Sequence, residues 1–335
     1  MMKWIPCELH THTDNSDGCL DVGSLSVKAA QAGLECIALT DHNTASGWLE
    51  IPDAMKKAGI QILRGMEWTT FHGHMIALGI HEYVDWRDKS TFDIQRGIDQ
   101  IHEAGGLAGV AHPYRLGSPV CTGCYWQFET DWSNVDYLEV WSETFPPLNP
   151  ANKRAYDLWT CLLNRGCRIT AVCGSDWHGN EYKNGCYAVT YLGLENDNNV
   201  ICEKDFIHAV KSGRSSVSLG PLLTISARSC TNGREYLSGN EMDTASAESN
   251  FEVHVNLDFS VRERQWRLDP DHLMIHIASN IGIIGRWTAP CGSASISGVF
   301  ETADLKWIRA EMFGEIESRN TMIAFTNAIY LGEAR

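Results

Sequence analysis

Short apolar runs alternate with amphipathic stretches over the first two-thirds of the chain, the pattern of repeated strand and helix units. Cys7-Glu8-Leu9 runs into His10. Val22 to Gly33, with apolar or small positions at Val27, Ala30 and the following Leu34, predicts a helix, and Cys36-Ile37-Ala38-Leu39-Thr40 predicts a buried strand ending at Asp41-His42. The cycle repeats through helix Pro52 to Ala58, strands Gln61 to Glu67 and Met75 to Ile80, helix Thr91 to Ala104, strands Leu107 to His112 and Tyr137 to Val140, helix Asn152 to Asn164 and strand Arg168 to Cys173. Polar residues recur just after each strand, where parallel α/β architectures build their active sites.

Near residue 220 the texture changes. Leu219-Gly220-Pro221 is a turn signal, and runs such as Phe251 to Leu257 and Leu273 to Ile277 alternate beyond it between Gly, Ser and Asn. The expected organisation is an α/β domain over residues 1–220 and a small β-rich accessory domain over 221–335. Thr231 to Asn250 is polar and predicts a mobile loop. A chain of 335 residues has room for both units.

Charge and cysteine content narrow the function. Lys and Arg number 27 against 42 Asp and Glu, a formal charge of −15 without the basic stripe that phosphate-backbone binding needs. Neither a nucleic-acid polymer nor an anionic membrane is expected as partner; homo-oligomerisation stays open. No apolar run reaches the roughly 18 residues of a membrane span. Met1 to Cys7 meets Glu8 too soon for a signal-peptide core, which predicts a soluble, cytoplasmic protein. Twelve cysteines without an export signal predict reduced thiols, and Cys121-Thr122-Gly123-Cys124 reads as a loop rather than a zinc knuckle.

Histidine is distributed unevenly: ten of thirteen lie between His10 and His208. In His10-Thr11-His12 the two imidazoles of an extended strand end point to one side, a spacing that can hold one metal ion. Asp17, Asp41-His42, Glu67, His74, His112 and Asp176-Trp177-His178 each end or follow a predicted strand, apart from Asp17 in the loop after His12. Nine ligands, His10, His12, Asp17, His42, Glu67, His74, His112, Asp176 and His178, exceed the four of a tetrahedral zinc and fit two or three ions with a bridging carboxylate. His72 would face the side of His74 under a two-residue register shift and His81 could contribute from the far end of that strand; Glu139 and Glu143 could join the cluster, with supporting or substrate-contact roles favoured, and Asp41 is a candidate for an orienting one. His102, His208, His254, His272 and His276 read as ordinary solvated or hydrogen-bonded residues.

The order His-x-His, Ser-Asp-Gly, Thr-Asp-His, Gly-x-Glu, Gly-His, Ala-His-Pro and Gly-Ser-Asp-x-His, over about residues 7 to 215, resembles the polymerase and histidinol phosphatase (PHP) metallohydrolases. Gly73 to Gly79, with Trp307-Ile308-Arg309 and Thr326 to Tyr330, is similar to the carbaryl-hydrolase-like branch of that family. The resemblance implies a distorted seven-stranded β/α barrel. It also implies a first metal site of His10, His12, Glu67 and Asp176, a second of Glu67, His74 and His112, and a third of Asp17, His42 and His178, holding Zn, Mn or Fe. The expected reaction is hydrolysis of a small phosphomonoester or phosphodiester by a hydroxide bridging two ions, with Glu67, Asp176 and His178 in catalytic roles. Arg115, three residues after His112 in His-Pro-Tyr-Arg, is placed to grip a phosphate or carboxylate, with Arg154 and Lys183 as weaker candidates. Carboxylic or carbamic ester hydrolysis, and a non-catalytic metal-stabilised module, are the competing readings.

Overall fold

In the computed structural model, residues 2–117, 123–180, 182, 187–195, 201–243, 250–266, 269–289, 292–316 and 318–332 are described. The first part runs β1 (Met2–Thr11), α1 (Val22–Gln31), β2 (Cys36–Leu39), α2 (Ile51–Ala58), β3 (Gln61–Thr70), β4 (Gly73–Leu78), α3 (Ile94–Glu103), β5 (Leu107–Val110), β6 (Tyr137–Ser142), α4 (Pro150–Asn164), β7 (Thr170–Gly174), β8 (Val189–Glu195), α5 (Glu203–Lys211) and β9 (Ser215–Ser218). Local chemistry sets the helix ends. The Asp21 carboxylate accepts from Ser24 N at 2.7 Å to start α1, Gly59 takes the left-handed conformation (φ 71°) that stops α2, and Asn149 caps α4 ahead of Pro150.

Strands β9-β8-β1-β2-β3-β4-β5-β6-β7 lie side by side. β1, β2 and β3 are mutually parallel, as are β5, β6 and β7, but β4 runs antiparallel to both its neighbours. Only Phe71 and His72 separate β3 from β4, too few residues for a parallel crossover. The sheet is therefore mixed rather than a repeated β/α unit throughout.

The expected distorted seven-stranded barrel is not confirmed in detail: among the described residues the ladder does not close. β7 curls back toward β1, yet its free edge is satisfied by side chains. The Thr190 hydroxyl accepts from Cys173 N at 2.8 Å and donates to Cys173 O at 3.0 Å, the Ser215 hydroxyl donates to Ala171 O at 2.8 Å, and the Glu8 carboxylate accepts from Ser175 N at 2.9 Å. Two backbone bonds, His12 N to Trp177 O (2.9 Å) and Trp177 N to His10 O (3.1 Å), complete this seam beyond the end of β7.

The remainder is β-rich, as expected: β10 (Leu222–Ser229), β11 (Glu235–Leu237), β12 (Glu241–Asp243), β13 (Asn250–Asp258), β14 (Asp269–Ser279), β15 (Gly282–Thr288), β16 (Ala294–Glu301), β17 (Trp307–Ile316), β18 (Arg319–Thr326) and β19 (Ile329–Gly332). β11 and β12 fall inside the segment expected to be a loop. They are stabilised not by their own sequence but by pairing with β10 and β19. β11-β10-β13-β16 form a separate sheet, while β18 pairs with β9, so the first sheet continues through residue 220 into the C-terminal region.

A buried cation fastens that continuation. The Arg309 guanidinium on β17 lies 4.4, 4.5 and 4.8 Å from the ring centroids of Tyr156, Trp159 and Trp307 and donates to Glu311 Oε1 (3.0 Å) and Thr160 Oγ1 (3.0 Å); Tyr156 OH donates to the same Glu311 oxygen at 2.5 Å. The cage thus joins α4 to β17. Removing only the cation strands Glu311 in a dry site, a loss of about 3–5 kcal/mol for a broken buried pair. Arg309→Met should lower unfolding stability in urea by that order, and adding Glu311→Gln should recover part of it; an Arg309→Met protein as stable as the wild type would show that the cage fastens nothing.

Candidate metal centre

β1 ends in Glu8-Leu9-His10-Thr11-His12, and the period of two puts Glu8, His10 and His12 on the inner face. His42 follows β2, Glu67 lies on β3, His74 on β4, His112 just beyond β5, and Asp176 and His178 just beyond β7. All except Asp17 and His178 thus come from strands or the first residues after them. The pairing register settles His74 against its rivals: His74 lies opposite Thr69, on the side of the sheet that also carries Glu67. His72 sits in the two-residue turn with its ring 5.9 Å from Phe128, and His81 pairs with Glu203 at 3.3 Å.

Glu67 is the hub. Its Oε2 lies 3.4 Å from His10 Nε2, 3.5 Å from His12 Nε2 and 2.8 Å from His42 Nδ1, while its Oε1 lies 3.0 Å from His74 Nδ1 and 3.2 Å from His112 Nε2. Asp176 Oδ1 faces His10 Nε2 (3.3 Å), His12 Nε2 (3.0 Å) and His178 Nδ1 (3.4 Å). Asp17 Oδ1 faces His178 Nε2 (3.0 Å) and His42 Nε2 (3.5 Å). The nine residues form three overlapping groups, His10-His12-Glu67-Asp176, Glu67-His74-His112 and His12-Asp17-His42-His178, each with its donor atoms within 4.8 Å of one another.

The donor set fits divalent cations. His10 Nε2, both nitrogens of His12, Glu67 Oε2 and Asp176 Oδ1 are buried without a hydrogen-bond partner. Converging orphans of this kind are costly in a protein interior unless something binds them. Imidazole nitrogen with carboxylate oxygen suits zinc, manganese and iron.

Supporting residues orient the donors. Glu139 Oε2 accepts from His10 Nδ1 at 2.8 Å, which leaves Nε2 directed into the cluster. Thr69 Oγ1 bonds His42 Nδ1. Asp41 accepts from Thr13 N (2.7 Å), Thr13 Oγ1 (2.8 Å) and Ser16 Oγ (2.6 Å), fixing the turn that carries Asp17. His112 and Asp176 adopt left-handed backbone conformations, φ 24° and 53°, uncommon for residues with side chains and concentrated where function demands a direction.

Electrostatics favour ionised carboxylates. Burial opposes charge on Glu67 and Asp176, but His10 and its neighbours hold both well below the ordinary carboxylate range. Burial also works against a charged His10, and Glu67, Glu139 and Asp176 outweigh it, raising that imidazole well above its usual value. At His12 burial wins, lowering it to about 4.

A cleft of about 390 Å³ opens over the cluster, with His42, His74 and Asp176 in its floor and Trp177, Gly179 and Tyr187 along one wall. Arg115 lines it too, donating Nη1 to Asp176 Oδ2 and placing Nη2 3.0 Å from Glu143 Oε1. Arg154 is elsewhere. Its guanidinium stacks 4.1 Å over Tyr114 and donates to Tyr125 OH at 2.8 Å, so two tyrosines hold it on the surface of α4. Lys183 and Cys121 lie outside the described residues; Cys7, Cys36 and Cys173 are buried free thiols.

Two contributors escaped sequence reasoning. Glu8, read only as part of a strand, accepts from His10 N at 3.0 Å as well as from Ser175, tying both ligand-bearing strands. Its Glu-x-His-x-His spacing was the available signal. Gly174 leaves room for the His10 to Glu139 contact: a Cβ there would run into His10 Cβ and lie 2.8 Å from Glu139 Oε2.

Imidazoles and carboxylates converging at one end of the mixed sheet define a metal-dependent hydrolase. The PHP domain matches residues 8–115, and the chain belongs to that family. It is 32% identical over 125 residues to an uncharacterized protein of Methanocaldococcus jannaschii, covering 34% of this chain and 69% of the relative. It is 35% identical over 77 residues to a 3',5'-nucleoside bisphosphate phosphatase of Chromobacterium violaceum, 22% of this chain and 27% of that enzyme. Its fold is similar to that of a two-domain protein from Bacteroides vulgatus containing a predicted PHP-like metal-dependent phosphoesterase, with TM-score 0.55, 13% identity and 98% and 96% of the two chains covered.

Two outcomes follow from this geometry. Gly174→Ala should displace His10 and lower bound metal per chain, measured by elemental analysis, while Gly166→Ala, which meets no atom within 4 Å and strains only its own left-handed backbone (φ 88°), should cost stability and leave metal content unchanged. Burial pushes Glu8 from an ordinary 4.5 up to about 7. A carboxyl raised in this way binds more protons folded than unfolded between those values, so stability falls as pH rises across that window. In chelator-treated protein Glu8→Gln should flatten that fall in urea denaturation at stepped pH; an unaltered slope would assign it to other groups.

Proposed function

We propose that the protein is a metal-dependent phosphoesterase that hydrolyses a small phosphomonoester or phosphodiester, with catalysis confined to residues 1–220. The observation that carries this reading is the set of three overlapping donor groups, linked by the shared residues Glu67 and His12, beneath a cleft that also presents Arg115. Its likeness to the bisphosphate phosphatase supports the phosphoester class.

Two ions would be held by the buried groups, His10-His12-Glu67-Asp176 and Glu67-His74-His112, and a third by His12, Asp17, His42 and His178. The third group is the most open, with 60% of the Asp17 side chain and 30% of the His178 side chain exposed. Bound divalent cations supply Lewis acidity and bring the ionisation of water toward neutral pH. The chain's own groups do the rest. Arg115 grips the phosphoryl oxygens and Glu143 holds that guanidinium from behind; His178, its Nδ1 bonded to the Asp176 carbonyl at 2.8 Å, keeps Nε2 on the open donor group, so the departing alcohol oxygen takes its proton from solvent at the cleft mouth as the P–O bond breaks. With a formal charge of −15, long-range attraction for an anion is absent, so recognition rests on the centre within the roughly 8–10 Å left by screening. That favours a small substrate over a polymer.

The carbaryl-hydrolase-like features make carboxylic esters the comparison that matters. Metal-loaded protein should turn over p-nitrophenyl phosphate or bis-p-nitrophenyl phosphate and leave p-nitrophenyl acetate near its background rate. Asp176→Asn should reduce turnover by a factor of order 10²–10³, the scale of losing one charge-stabilising group. Dialysis should remove the ion of the open group first and leave two per chain. Turnover of the acetate alone, or fewer than two ions in freshly loaded protein, would overturn the assignment.

A further inference from the structure

A second cleft, of about 820 Å³, opens where the connection from α4 to β7 meets the start of β17 and the end of β19. It lies before the first residue of β7, whereas Asp176 follows the last. The strand between them spans roughly 17 Å at about 3.3 Å per residue, so this cleft and the metal centre lie beyond opposite ends of β7.

Arg165, Arg168 and Lys306 line the cleft against one carboxylate, Glu241, a local excess of 3 − 1 = +2 in a chain of formal charge −15. The three cations are held differently. Arg168 is fixed in place, with Nη2 2.5 Å from Glu241 Oε1 and its guanidinium 5.3 Å from the Tyr330 ring centroid; Glu241 and Tyr330 are themselves register partners of β12 and β19. Lys306 Nζ donates at 3.2 Å to the carbonyl of Asn164, the last residue of α4, and meets no carboxylate among the described residues. Arg165 makes no side-chain hydrogen bond or ion pair among the described residues. A helix C-terminus accounts for one nearby cation, not for three. Guanidinium forks match the planar spread of oxygen atoms in phosphate and carboxylate groups.

We propose that this cleft binds a small multivalent organic anion bearing phosphate or carboxylate groups, with Arg168 as the fixed contact and Arg165 and Lys306 closing on it. The site is separate from the metal centre and independent of the reaction performed there.

Cys167, a partly buried free thiol in the cleft wall, reports on it directly. The experiment alkylates the full chain with iodoacetamide and reads each cysteine by mass spectrometry, with inorganic pyrophosphate as the phosphate probe and citrate as the carboxylate probe. Cys202 and Cys230 are exposed controls; Cys19, whose backbone N–H donates to His178 O at 2.8 Å, reports effects at the metal centre. At about ten times its dissociation constant a bound probe should slow Cys167 alkylation about tenfold, with the three other thiols unchanged. Arg165→Gln and Lys306→Gln, singly and together, should weaken that protection while leaving metal content and phosphoesterase turnover intact. Protection by pyrophosphate alone assigns a phosphate ligand and by citrate alone a carboxylate. No protection by either probe, equal slowing at Cys19, or protection that survives both substitutions overturns the proposal.

Discussion

One carboxylate organises this protein. Glu67 is fully buried and meets five imidazoles from β1, β2, β4 and β5 or their ends. A charge in that position is tolerable only when its neighbours are cationic or when cations join them, because an unpaired buried carboxylate would otherwise give up its ionisation. Five strands must therefore bring their ends to one point, and much of the architecture can be understood as the means of doing so, with every ligand but Asp17 and His178 on a strand or within three residues of its end.

That dependence explains which parts of the molecule were legible in sequence. The nine donors stood out because strand endings carry His and Asp where solvent-facing loops usually carry Gly, Asn and Ser, and the i, i+2 spacing of His10 and His12 has a geometric meaning that needs no structure. Helices α1 to α4 were visible for the same reason, since apolar periodicity records which face is buried. Sheet topology was not. Nothing in Gln61 to Leu78 announces that β3 and β4 form a hairpin within an otherwise parallel array, except the shortness of the Phe71-His72 link. β11 and β12 were invisible because three-residue strands owe their conformation to partners distant in sequence.

The arginines show a further limit. In sequence Arg115 has only its closeness to His112 to favour it over Arg154 as an anion contact. Tertiary packing separates them: one finds Asp176 and Glu143, the other finds Tyr114 and Tyr125. Side chains long enough to reach several partners take their role from whichever partner is best prepared, and that preparation is a property of the fold.

The free edge of β7 has a bearing on how substitutions act there. A strand held by a neighbouring ladder keeps its backbone partners whatever its side chains become. Here Thr190, Ser215 and Glu8 supply those partners themselves, and all three are buried. Truncating one of them leaves a backbone group unsatisfied in a dry site, at roughly 1–3 kcal/mol. The wall beneath His10 is thus written in side chains, where a single substitution reaches what a ladder would have protected.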